Sequence, residues 1–127
     1  MLILYKACLV VIAVINLLPL AGLLSADRLA RGYGIDVTSA DLQILLQHRA
    51  LLFGLIGGFV LFACFVPAVQ LIALSLAGIS MVGFVVIAQL HSPFNEAIAR
   101  VVWVDVAGIL VLLAAVSIRL MSSTDFT

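Results

Sequence analysis

Four stretches of this chain are long and apolar enough to cross a bilayer, and that feature decides most of what the chain can fold into. They run from about Leu2 to Leu24, Leu42 to Val66, Val69 to Leu90 and Ala97 to Leu120. Each is close to or above the roughly 20 residues that a spanning helix needs. Their interiors are rich in Leu, Val, Ile, Ala and Gly and lack strict alternation, so helices fit and barrel strands do not. The expected fold is an all-α antiparallel bundle of four transmembrane helices, one integral membrane domain over residues 1–127, with a short amphipathic turn between helices 1 and 2. Composition points the same way: 9% of the residues are charged and 66% hydrophobic, against roughly 25% charged in soluble domains.

The connections carry ordinary helix signals. Ser25 is expected to cap a short turn bearing Arg28 and Arg31, which Gly32 and Gly34 break. Thr38 is expected to cap the second long helix, with Asp41 near its positive end, and Asn95 the fourth, with Glu96 in its first turn. Pro67 separates the second and third helices so closely that they must be antiparallel neighbours. Pro19 is expected to kink the first helix one turn beyond Asn16. The "LLSAD" stretch could serve as a cleavage site, but Lys6 is the only basic side chain before the apolar run, so a retained helix is expected. Both termini then share one side of the membrane. Arg28, Arg31, Arg49 and Arg100 lie toward the other, which the positive-inside rule would make cytoplasmic; without Arg49 and Arg100 the count is two against two.

Depth decides which charges need a reason. The apolar residues after Arg49, up to Val66, span roughly 25 Å, so Arg49 sits just inside the edge of a hydrocarbon core about 30 Å thick. Asp105 lies about a third of the way in, roughly 20 Å from Arg119, and has no easy route to water. A carboxylate there must be paired, protonated or facing a wet cavity. Arg100, five residues away, is turned about 140° around the helix and is expected to pair with Glu96. Arg49 is closer to the right height, so an Arg49–Asp105 ion pair is the expectation. Asn16 and Ser80 fall near mid-membrane, and His48, Gln89 and His91 closer to the polar face; with the pair they define a candidate crevice. Structural bracing, a ligand pocket and a proton relay are the readings, in that order. The histidines lack metal-ligand spacing, and Cys8 and Cys64 read as buried small hydrophobes.

Ala50, Gly54 and Gly58 recur every four residues and Gly57 widens the stripe, so close packing of a neighbouring backbone is expected there, within the chain or between two copies. Gly78, Gly83 and Gly108 are candidates for the same use. The triplet "HRA" followed by "LFGLIGG", then "GISMVGF" and the single aspartate of "RVVWVDVAG", resemble small four-helix bacterial membrane proteins of the DoxX-like outline. That resemblance implies a bacterial inner (cytoplasmic) membrane bundle and little about activity. Some proteins of this look carry a phosphopantetheine adenylyltransferase label, which these residues do not support: there is no HxGH motif and no phosphate-cradling glycine loop.

Several classes fail on named residues. Zero net charge without a basic run gives nucleic acid no footprint. Small multidrug exporters use an acidic residue in the first helix, where this chain has Asn16; thiol oxidoreductases need a CxxC, which is missing; Ser80 has no histidine at a defined spacing. The expected function is a binding or interaction protein without a cofactor. Its crevice around Arg49 and Asp105 would hold a lipid-like or amphipathic molecule, with lipid, a second copy or a membrane assembly as partners. The alternatives are a small enzyme acting on a lipid-soluble substrate and a proton-coupled transporter using Asp105.

Overall fold

The computed structural model describes residues 1–122. Among them the chain is all-helical: α1 (Leu2–Leu17), α2 (Ala26–Tyr33), α3 (Ala40–Ala63), α4 (Gln70–Leu90) and α5 (Glu96–Met121). Two short 3-10 stretches, Leu18–Leu23 and Pro67–Val69, extend α1 and lead into α4. This yields four apolar helical segments long enough to cross a membrane: Leu2–Leu23, Ala40–Ala63, Pro67–Leu90 and Glu96–Met121.

The ends follow local chemistry. Ser25 Oγ accepts the Arg28 amide at 3.2 Å, and Gly34, at φ 62°, closes α2 in the left-handed conformation that glycine adopts without strain. Asn95 Oδ1 accepts the Ile98 amide at 2.8 Å. The cap of α3 is Ser39, not Thr38: its Oγ accepts the Leu42 amide at 3.1 Å, which starts the helix at Ala40 and leaves Asp41 in the first turn. α3 also ends earlier than hydropathy suggests, at Ala63. Pro67 holds Val66 extended (φ −125°, ψ 91°), so the chain leaves helical geometry before it turns into α4. Pro19 does not bend a continuous α-helix. It sits at the start of the 3-10 stretch, where its missing N–H costs least.

α1 packs against α3 and α5, and α4 against α5 and α3. Their shared core holds Leu9, Ile12, Val60, Ala73, Met81 and Ala115. At one end of the core, Arg119 donates to the side-chain oxygen of Gln70, whose amide donates to the Ala63 carbonyl at 3.0 Å. Cys8 and Cys64 are free thiols in the core.

The close approach of α3 to α1 is set by Gly57. A Cβ there would meet the Ala13 carbonyl oxygen at 2.9 Å and the Leu17 nitrogen at 3.0 Å, both backbone atoms. Gly54 lies beneath Leu20, while a Cβ on Gly58 would have nothing within 4 Å. The packed face is therefore Ala50, Gly54 and Gly57, not a run ending at Gly58. Four-residue steps drift about 40° each, so Gly58 stands about 80° round from Ala50, whereas Gly57 returns to within about 20°. In α5, Gly108 serves the same purpose against Met81 and Ile15; Gly83 of α4 faces open space.

Candidate functional site

α2 does not extend away from the bundle. The Asn95 amide donates to the Tyr33 and Gly34 carbonyls at 2.8 and 3.0 Å, pinning the end of α2 to the start of α5, and Leu29 is buried. Folded back in this way, α2 roofs a cavity of about 680 Å³ between itself, the end of α1 with its 3-10 extension, α3 and α5. The volume lies within the range of about 300–1,000 Å³ typical of small-molecule sites.

Helical periodicity supplies the walls. Along α5, Ala97, Arg100, Val101, Val104 and Asp105 line the cavity, the three- and four-residue spacing of one helix face. Arg49 and Phe53 line it from α3 at the same spacing. α2 contributes Arg28, Arg31 and Tyr33, and the end of α1 contributes Ile15 and Asn16. Four of the six basic residues of the chain, Arg28, Arg31, Arg49 and Arg100, therefore face one space, against one acidic residue, Asp105. Arg28, Arg31 and Arg100 are exposed, whereas Asn16 and Asp105 are buried. The cavity thus combines exposed cationic residues with two buried polar ones on a largely apolar wall.

Arg49 is half-buried and held by aromatic groups. Its guanidinium donates to the Tyr33 hydroxyl, and its central carbon lies 4.6 Å from the centre of the Phe53 ring, 5.0 Å from that of Phe84 and 5.1 Å from that of Tyr33. The negative faces of the rings offset part of the cost of removing the cation from water. The expected ion pair with Asp105 does not form. Arg49 and Asp105 share the cavity wall, but no ion pair involving Asp105 or Glu96 occurs among the described residues. Tyr33, brought in by α2, takes the hydrogen bond that the sequence reading assigns to the carboxylate. Asp105 is left 7% exposed, with no hydrogen bond among the described residues.

Of the residues singled out from sequence, Arg49, Asp105 and Asn16 meet at this cavity; the Asn16 amide donates to the Ile12 carbonyl at 2.9 Å. His48, Ser80, Gln89 and His91 do not line it. His48 is exposed on α3, because the next residue along a helix points about 100° away from Arg49. Ser80 is half-buried on α4, Gln89 is exposed, and His91 Nδ1 lies 3.0 Å from the Ile87 carbonyl oxygen. Among the described residues no cluster of three or more His, Cys, Asp or Glu side chains could hold a metal ion.

Sequence reasoning missed Arg28, Arg31, Arg100, Tyr33 and Phe53. The periodic signal on α5 was available for Arg100, since it shares a face with Val104. For the α2 residues no local signal exists, because only the fold-back of α2 brings them to the cavity. Comparison with protein-family models, with curated proteins and with solved structures gives no match.

Proposed function

We propose that the chain is a small integral membrane protein of four antiparallel spans, with both termini on one side, that binds an anionic amphipathic molecule in the cavity beneath α2. The outer faces of the long helices support the membrane reading: Ile79, Leu90, Trp103 and Leu110 are exposed rather than packed, a distribution suited to lipid and costly in water. Connections as short as that between α3 and α4 suit antiparallel neighbours.

One observation carries the binding reading: four arginines and a single acidic residue line one cavity whose remaining walls are largely apolar. Gathering like charges is unfavourable unless an anion shares the space, and guanidinium is the side chain best shaped to grip phosphate or carboxylate oxygens. Phe53, Ile15, Val101 and Val104 offer the adjoining surface for a hydrocarbon portion.

The test is lipid retention in mild detergent, measured by native mass spectrometry. Phosphatidylglycerol is expected to be retained over phosphatidylcholine. The Arg28→Gln/Arg100→Gln double variant is expected to weaken that retention about tenfold, the equivalent of about 1.4 kcal/mol. Lys6→Gln, an exposed residue outside the cavity, is expected to leave it unchanged. Equal retention of both lipids, or a double variant that behaves as wild type, overturns the reading.

A further inference from the structure

The cavity holds one group that an anion does not satisfy. Asp105 is 7% exposed, lies on the cavity wall, and has no hydrogen bond or ion pair among the described residues. A buried carboxylate without a hydrogen bond is costly even with the Arg49 charge acting on it from across the cavity, and its oxygens offer lone pairs that call for a donor. The arginine nearest in role, Arg49, already gives a hydrogen bond to Tyr33 and lies among three rings. The donor is therefore expected from whatever occupies the cavity.

Charge restricts what that donor can be. An ammonium group entering beside Asp105 would share the cavity with Arg28, Arg31, Arg49 and Arg100, whose like charges offset part of its attraction to the carboxylate. A hydroxyl brings the hydrogen and no charge. Taken with the arginines, which call for an anion, the chemistry is that of one molecule bearing both functions.

We infer that the cavity recognises a phosphate ester carrying free hydroxyl groups, its phosphate held by the arginines and a hydroxyl donating to Asp105. This rests on the anion-binding reading above and deepens it. Two sources share the chemistry: the headgroup of a glycerol-bearing phospholipid, and a soluble polyol phosphate.

The decisive comparison is phosphatidylglycerol against phosphatidylmethanol, which has the same charge and the same phosphodiester but no hydroxyl on its headgroup. Retention is read by native mass spectrometry of the full chain, with phosphatidylcholine as baseline. The wild type is expected to hold phosphatidylglycerol about tenfold more tightly than phosphatidylmethanol. Asp105→Ala is expected to abolish that difference, so that phosphatidylglycerol and phosphatidylmethanol are held alike, whatever the loss of its negative charge does to the affinity for both. Asp105→Asn keeps one carbonyl acceptor and is expected to fall between. Parallel thermal shifts with glycerol 3-phosphate and methyl phosphate identify the source: stabilisation by glycerol 3-phosphate, lost in Asp105→Ala, assigns a soluble ester, and its absence beside the lipid preference assigns the headgroup.

The inference is overturned if wild type binds both anionic lipids alike and shows no preference for glycerol 3-phosphate over methyl phosphate, or if a preference for the hydroxylated ester survives Asp105→Ala. Should that variant not fold, the wild-type comparisons decide. Anionic lipids that bind no better than phosphatidylcholine, with neither soluble ester stabilising the protein, would instead remove the anion-binding reading beneath it.

Discussion

At the residue scale, Arg49 shows how a cation is accommodated among apolar helices without a carboxylate in contact. Its partners are the Tyr33 hydroxyl and the rings of Tyr33, Phe53 and Phe84. Such contacts are each worth about 0.5–2 kcal/mol, more where water is excluded. A double-mutant cycle of Arg49→Gln with Phe53→Leu, followed by denaturant unfolding in detergent, should give a coupling energy of about 1 kcal/mol. The cycle of Arg49→Gln with Asp105→Asn should give less. The opposite ranking would mean that Arg49 and Asp105 pair directly. Both residues stand out in the sequence because depth along a helix follows from counting, at about 1.5 Å per residue. Whether they touch does not follow from counting. It depends on Tyr33, which α2 inserts from outside either helix.

At the element scale, the packing of α1 on α3 turns on which glycine faces the partner. Gly57→Ala would drive a methyl group against the Ala13 carbonyl oxygen and the Leu17 nitrogen, backbone atoms that cannot rotate aside. Gly58→Ala would meet nothing within 4 Å and would gain the roughly 1 kcal/mol by which alanine exceeds glycine in a helix. Thermal unfolding in detergent should therefore place Gly57→Ala below wild type and Gly58→Ala at or above it. Equal losses at both positions would contradict the packing described. The small residues are evident in the sequence, and so is their four-residue recurrence. Selecting Gly57 over Gly58 requires following the drift of an α-helix through seven residues rather than eight. Helix ends divide in a similar way: Ser25 and Asn95 are legible as caps, but at "TSAD" two adjacent hydroxyl residues compete and only the fold shows that Ser39 bonds to Leu42.

At the scale of the whole molecule, α2 joins the bundle and the site. It is the least apolar of the helices, and its bonds from Asn95 together with buried Leu29 hold it over the cavity. Hydropathy makes the four long helices plain, and the cap at Ser25 and the glycines mark a short amphipathic turn where α2 forms; that it folds back to bring Arg28, Arg31 and Tyr33 to the cavity lies beyond the reach of the sequence. The proposed antiparallel topology has its own check. In a Cys8→Ala/Cys64→Ala background, Ser39→Cys and Ser92→Cys should react with an impermeant thiol reagent from one side of sealed vesicles, and Ala68→Cys from the other. All three reacting from the same side would remove the four-span arrangement.

An anionic molecule in the cavity beneath α2 would be visible in an experimental density map of the protein in bilayer discs containing phosphatidylglycerol. Density is expected for a phosphate within hydrogen-bonding distance of at least two of Arg28, Arg31, Arg49 and Arg100, with the rest of the molecule running along Phe53 and Val104. A cavity that holds only water, or one that closes so that the arginines turn outward to solvent, would contradict anion binding there.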